Sequence, residues 1–284
     1  MKQTLFALYQ RCGYIPLRDF LLGKLGRSRA VVLYYHRIGG KDTLTRPTEA
    51  FRKDLEYLKR HCECVSLFEL CERLKSDAPL SRPLAVVTFD DGYRDNFTHA
   101  VPELQRAGIS ATFYVATGYI GAEREFPHDH RQPLPEGRTA PVYPKLTWDD
   151  LREMQRQGFE IGSHTVNHID CGIADPATLE YELTESLAAL TRELGDRPRA
   201  FSYPWGKAQN RSAQALALAE RLGYYSVAVT SGLANRRGGS VLHLERIDGG
   251  NGEFSELAFQ ARVCGLNWEP LRDRWLIRSQ KKRK

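Results

Sequence analysis

The stretch VVTFDDGYRDN, residues 86–96, ends an apolar run on two adjacent carboxylates, Asp90 and Asp91, followed by Gly92. Like charges this close repel unless a cation lies between them or one of them holds a proton. Further along, GSHTVNH sets His164 and His168 four positions apart, a spacing that on a helical turn puts both imidazoles on one side. Two imidazoles and a carboxylate form a workable donor set for a divalent metal with a position left open for water, and zinc, cobalt or iron suits such ligands. One aspartate would then bind the cation, while the other, kept ionised by it, takes a proton from water. Each motif also has a plainer reading. Asp-Gly is turn chemistry, and paired histidines serve as caps or packing groups on ordinary helices. Their coupling at the ends of two strands is what points to a metal centre.

The elements that must position these groups are legible as alternating apolar runs and helical periods. AVVLYY (30–35), LAVVTF (84–89), SATFYVA (110–116), FEIG (159–162), AFSY (200–203), SVAVT (226–230) and VLHLER (241–246) have strand length, and most are rich in β-branched or aromatic residues. Between them, residues 48–60, 146–158 with Thr147 as N-cap, 176–194, and 210–223 ending on Gly223 have helical character. Strand and helix in alternation predict a parallel α/β fold. Seven strands predict a (β/α)7-like barrel, an incomplete version of the eight-stranded TIM type. His36, Asp90 with Asp91, SHTVNH, PWG and Arg246 each close a different run, so a barrel brings five segments to one face. Residues 118–146, rich in Gly and Pro, read as an insertion over one end.

Composition narrows the function classes. The 284 residues are 42% hydrophobic and 27% charged, enough for one large buried core. The net charge of +6 sits at the ends: residues 1–30 carry +5 and residues 272–284 carry +6, leaving −5 for everything between. A basic face across the fold is therefore lacking, which excludes a nucleic-acid binder. Both ends interleave cations with apolar residues (Leu21, Leu22, Leu25; Trp275, Leu276, Ile277), a pattern suited to an anionic membrane surface, although a solvated tail is the plainer reading of the C-terminus. The chain thus divides into a basic amphipathic segment (1–29), a barrel domain (30–271) and a basic tail (272–284). No apolar run reaches bilayer length, and the opening MKQTLFALYQRCGY breaks its apolar stretch at Gln10 and Arg11. That predicts a cytoplasmic protein, peripheral at the inner membrane face. Six scattered cysteines fit a reducing compartment, and HCECVSLFELC lacks the Cys-x2-Cys spacing of a zinc site.

TFDDG, SHTVNH and FSYPWG, in this order, resemble the successive motifs of polysaccharide deacetylases with a nodulation-deacetylase-type domain, carbohydrate esterase family 4, over residues 30–250. VLYYHRI and LERI resemble the subgroup of exopolysaccharide synthesis and poly-N-acetylglucosamine deacetylation, whose motifs are circularly shifted relative to chitin deacetylases. The resemblance implies a (β/α)7-like barrel, an Asp-His-His metal site and hydrolysis of N-acetyl groups on amino sugars; the substrate is expected to be an N-acetylated polymer or, given the two basic amphipathic ends, a lipid-linked glycan. Carried over by position, Asp90 is the general base, Asp91, His164 and His168 are the ligands of a divalent ion such as zinc, and the backbone N–H of Trp205, where the family usually has Tyr, helps to bind the oxyanion. An amine leaving group needs a general acid. The shifted subgroup favours His36 for that role over His243, which is assigned to packing.

One position departs from the pattern. The family's third motif is often Arg-Pro-Pro-Tyr-Gly, its arginine orienting the catalytic carboxylate, and Ser202 stands in that place here. Arg246 is the expected replacement, against a surface ion pair with Glu245 or Asp248. Trp148 is expected to pack at a helix start, with stacking on sugars as the alternative. PHDH (127–130) is expected to be a solvated turn rather than a second metal site. Two other functions compete: a deacylase or deformylase of lipid-linked sugars, and an inactive sugar-binding module. The intact set Asp90, Asp91, His164 and His168 opposes the second.

Overall fold

The computed structural model describes residues 14–40, 45–129, 143–195, 199–250 and 255–266. The β-branched and aromatic runs form strands β1 (Ala30–Tyr35), β3 (Leu84–Phe89), β4 (Ala111–Val115), β5 (Glu160–Ser163), β6 (Ala200–Ser202), β7 (Ser226–Thr230) and β8 (Leu244–Asp248), with a two-residue strand β2 (Glu63–Cys64). The helices are α1 (Tyr14–Lys24), α2 (Thr48–His61), α3 (Leu67–Lys75), α4 (Val101–Ala107), α5 (Trp148–Arg156), α6 (Pro176–Leu194), α7 (Ala213–Arg221) and α8 (Glu256–Val263).

The pairings are parallel, in the order β1-β8-β7-β6-β5-β4-β3, and β3 returns to β1 over six residue pairs from Ala30–Leu84 to Tyr35–Phe89. Seven strands therefore close a barrel, one fewer than the TIM type. β2 lies beside the start of β3, before β4 takes over that edge at Val87. The last strand begins later than its apolar run predicts: Val241–His243 form a 3-10 turn and β8 starts at Leu244.

Strand alternation sorts the side chains by parity. Odd positions such as Val31, Leu33, Tyr35, Val87, Phe89, Phe113 and Ile161 pack outward in the main core cluster, and Phe201, Val227 and Val229 do so in another. Even positions Ala30, Val32, Val86, Tyr114, Ala200, Ala228 and Leu244 fill the interior. Leu67, Leu70, Cys71 and Leu74 of α3 join that inner cluster and plug the end where the strands begin. Gly162 leaves room for a neighbour in the barrel, since a Cβ there would come within 2.6 Å of the Tyr114 ring. Continuing the same parity beyond the apolar layers brings Tyr34, His36, Thr88, Asp90, His164, Ser202 and Arg246 toward the interior at the other end. The catalytic candidates are thus an extension of the core pattern.

Local signals set the helix ends. Thr147 caps α5 by accepting from Asp150 N, and Asp150 accepts from Thr147 N, a full capping box. Trp148 packs against the main core at that helix start. Asp175 accepts from the N–H groups of Ala177 and Thr178 at the head of α6, whose first residue is Pro176. No helix among the described residues is long and apolar enough to cross a membrane.

Candidate active site

Asp91 follows β3 with φ 75°, a left-handed conformation that short polar side chains tolerate best among non-glycine residues. The Asp-Gly turn is therefore real, and it is the device that swings Asp91 off the strand. His164 follows β5 directly, and His168 returns to meet it through a loop. The four-residue spacing is realised by that loop and not by the helical turn expected from sequence, because Thr165 (φ 66°) and His168 (φ 54°) both adopt left-handed backbone. Such residues cost about 1–3 kcal/mol each and persist only where surroundings hold them. Here Glu182 of α6, almost fully buried, accepts from the N–H groups of Val166 and Asn167 at 2.9 and 2.7 Å and from Asn167 Nδ2 at 2.7 Å.

Asp91 Oδ1 lies 3.2 Å from His168 Nε2 and 3.5 Å from His164 Nε2, and all three side chains are buried. The donor atoms of these residues lie within 4.8 Å of one another. His164 Nδ1 is 2.8 Å from the Ser202 carbonyl oxygen, which can only accept, so Nδ1 carries a proton and Nε2 is the nitrogen left to present a lone pair to a ligand. That lone pair faces a buried carboxylate oxygen left without a hydrogen-bond donor. Acceptor against acceptor at 3.5 Å is unfavourable unless a cation joins them. Atoms about 2 Å from a shared tetrahedral ion lie ~3.4 Å apart, so the spacing fits one. Burial pushes the Asp91 carboxyl up, but the hydrogen bond donated by His128 leads the interactions that outweigh it and hold the group well below the usual carboxylate range. Burial lowers His168, which favours the neutral, ligating form.

Asp90 has a different partner. Arg246 grips it with both arms of the guanidinium, Nη1 to Oδ1 at 2.7 Å and Nη2 to Oδ2 at 2.8 Å. Nη1 also donates to Thr88 Oγ1 at 3.2 Å and Nη2 to Ser202 Oγ at 2.8 Å. Ser202 thus touches the very arginine that occupies the site from another strand. The rings of Tyr34 and Tyr114 lie 5.0 and 5.4 Å from the guanidinium carbon. Burial would raise the Asp90 carboxyl, yet the Arg246 charge more than offsets this and its pKa falls below the ordinary value. Both adjacent carboxyls are thus held below the ordinary value, Asp90 chiefly by Arg246 and Asp91 by the imidazoles around it.

His36 follows β1 at the level of Asp90, whose N–H donates to the Tyr35 carbonyl at 2.9 Å. It is exposed at the barrel mouth, its ring 5.6 Å from that of Tyr34. Trp205, with φ 57°, stands edge-on to His168 at 4.6 Å between centroids, and its N–H has no protein acceptor among the described residues. His243 is elsewhere. It sits on the turn before β8, exposed, beside Arg211 Nη1 at 3.1 Å and Glu245 at 3.3 Å, which corrects the packing assignment: residues 241–243 form a turn instead of continuing the strand, and the imidazole lies among charged side chains at the surface.

The PHDH segment also departs from expectation. His128 Nε2 lies 3.2 Å from Asp91 Oδ2 and 3.1 Å from the Tyr93 hydroxyl. Tyr93 donates to Asp129 Oδ1 at 2.5 Å, so both neighbours of His128 Nε2 are acceptors and the histidine donates. Asp129 in turn accepts from Phe126 N at 3.0 Å and lies 3.4 Å from Lys145 Nζ. Tyr93, Tyr119, Phe126 and Tyr143 pack together around this network. The turn at 127–129 is therefore anchored by an aromatic cluster through buried Phe126, with His128 stacked on that ring and Pro127 left exposed, and Phe126 was the available sequence cue. His130 lies outside the described residues. Cys62 and Cys71 belong to separate core clusters, and the described cysteines are free.

Seven parallel strands closed in this order, with acid and imidazole groups gathered where they finish, make a (β/α)7 barrel of the carbohydrate esterase kind. Comparison with known families agrees: residues 77–227 match the polysaccharide deacetylase family, and the chain belongs to it. It is 28% identical to YxkH of Bacillus subtilis (strain 168) over 239 residues, 83% of this chain and 76% of that protein. It is 26% identical to the poly-beta-1,6-N-acetyl-D-glucosamine N-deacetylase of Escherichia coli (strain K12) over 219 residues, 66% of this chain but 31% of that protein. Among solved structures, the Streptococcus pyogenes deacetylase PplD in complex with acetate superposes with a TM-score of 0.67, covering 84% of this chain and 99% of that one at 23% identity. That last likeness speaks to the fold.

Proposed function

We propose that the chain is a metal-dependent hydrolase that removes N-acetyl groups from the amino sugars of a polysaccharide, with N-acetylglucosamine polymers as the first candidates. The observation that carries this reading is the division of two adjacent buried aspartates between a guanidinium clamp and a histidine cluster. Name and similarity of the Escherichia coli relative support the substrate class. When bound, a divalent ion held by Asp91, His164 and His168 would polarise the acetamide carbonyl and make water acidic enough to deprotonate near neutral pH. Asp90, fixed by Arg246, accepts the proton of the attacking water. The Trp205 N–H is placed to donate to the oxyanion as it develops, and His36, on the open side of the mouth, gives the departing amine its proton.

The test is acetate release from soluble β-1,6-linked N-acetylglucosamine oligomers, with chitin oligomers alongside. Activity should disappear with a chelator and return with zinc or cobalt. Turnover by metal-stripped protein, or none by metal-loaded protein on any N-acetylated sugar, would overturn the proposal.

Two variants probe the supporting residues. His36→Ala should lower kcat by about 10²–10⁴ with metal content intact, since it removes an acid and no ligand. His243→Ala should behave as wild type, and the opposite pattern would move the acid role to His243. His128→Ala should weaken metal binding about 10–100-fold, the usual effect of removing a group that orients a ligand. His128→Gln, which keeps an N–H for Asp91 Oδ2, should recover part of the loss. Equal affinity in all three proteins, measured by chelator competition, would mean that this contact does nothing for the ion.

A further inference from the structure

We propose that the outer face of α1 is a docking surface for an anionic lipid bilayer, and that it holds the barrel with its catalytic end turned away from the lipid. Eight large apolar side chains are exposed among the described residues, and five of them, Tyr14, Leu17, Phe20, Leu21 and Leu25, lie on α1 or just beyond its last residue. Helical spacing explains the concentration. Positions 14, 17, 21 and 25 recur every three or four residues and share one face, with Phe20 beside them. The other face packs on the barrel through buried Ile15 and through Asp19, which accepts from Arg29 Nη1 at 2.6 Å. Exposures of 48% to 67% on five neighbouring apolar residues make a patch that soluble surfaces rarely leave open.

Charge decides the occupant. Lys24 projects from the same face, its Nζ 5.5 Å from the centre of the Phe20 ring, and Arg27 is exposed just beyond. Asp19, the sole acid of residues 1–30, is neutralised by Arg18 and Arg29 at 2.7 and 2.6 Å. A second copy of the chain would set cation against cation across a two-fold contact. An anionic lipid surface accepts the apolar side chains and the cations together.

Location gives the orientation. α1 lies at the end where the strands begin: a Cβ at Gly23 would meet the Ser81 carbonyl oxygen at 2.1 Å, Ser28 N donates to Leu80 O at 3.1 Å, and Arg18 Nη2 donates to Cys264 O at 2.8 Å, below α8. Asp90, Asp91 and His164 lie where the strands finish. Strands of five or six residues separate the two ends by roughly 17–20 Å. A docked enzyme therefore presents its site to solvent, where a polymer reaches it and a sugar held at the bilayer surface does not. This second part rests on the catalytic reading above; the lipid contact does not.

The experiment is co-sedimentation of the full chain with phosphatidylcholine vesicles, with and without phosphatidylglycerol. Binding is expected only with phosphatidylglycerol, falling as salt rises. The triple variant Leu17→Ser, Phe20→Ser, Leu21→Ser and the charge variant Lys24→Glu, Arg27→Glu should each weaken it about tenfold or more. Both variants should keep wild-type acetate release from soluble oligomers and a wild-type melting curve. Hydrogen exchange on the vesicle-bound protein should show protection at residues 14–25 and none at 164–168. Absent binding, equal binding by the variants, or a wild-type dimer that the triple variant dissociates would overturn the lipid contact. Protection of 164–168 would overturn the orientation. Binding with no acetate release from any sugar would leave the lipid contact standing and remove the deacetylase reading instead.

Discussion

Asp90→Asn should bind its metal as the wild type does and lose about 10²–10⁴ in kcat, the contribution expected of a positioned general base. The reason lies in how the adjacent carboxylates are partnered. Asp90 is bound on both oxygens by the Arg246 guanidinium, whereas Asp91 Oδ1 faces His164 and His168. An amide at position 90 keeps one acceptor for Arg246 and leaves the ligand cluster untouched. Asp91→Asn should behave differently, losing metal along with turnover, because a neutral amide oxygen holds a divalent ion far less tightly than a carboxylate. Metal content by atomic absorption, read beside kcat, separates the two. Equal metal loss in both variants would mean that base and ligand have been assigned to the wrong aspartates.

The barrel was legible because its physics is local. Buried parallel strands read as continuous apolar runs, and all seven runs of the sequence supply the seven barrel strands. Parity carried further than the runs did, since the even register that fills the interior at Val86 continues through Thr88 to Asp90. What stayed hidden depends on contacts remote in sequence or on backbone angles that residue type does not announce. The His164–His168 spacing looks helical, but its left-handed residues are a threonine and a histidine, in a loop whose Val166 and Asn167 are held by Glu182 of α6. VLHLER looks like a strand throughout because Val241 and Leu242 continue its apolar pattern, yet they form a turn beneath β8. From sequence, His128 reads as part of a solvated turn for the same reason. Its partner Asp91 lies 37 positions earlier, and Gly- and Pro-rich sequence around it signals loop without saying what the loop covers. β2 and α3 are short, and the cysteines of that region drew attention to metal chemistry instead of to the nine-residue helix that plugs the barrel.

Arg246 should prove as costly to remove as any residue in the molecule, and in two separable ways. Its side chain is fully buried and that of Asp90 nearly so, so Arg246→Met leaves a buried carboxylate without its guanidinium, a change that typically costs about 3–5 kcal/mol. Removing both charges at once, in Asp90→Leu with Arg246→Met, should restore much of that stability, because neither ion then has to be kept from water. Activity should not follow: the single variant holds its base loosely and the double variant has none. Arg246→Lys should fall between wild type and Arg246→Met, since one ammonium cannot reproduce two parallel donors to a carboxylate while also reaching Ser202. Denaturant midpoints and kcat measured on the four proteins test this together. If Arg246→Met melts as the wild type does, the clamp contributes nothing to stability. If it also keeps its kcat, the arginine that stands on β8 does not do the orienting work left vacant by Ser202 on β6.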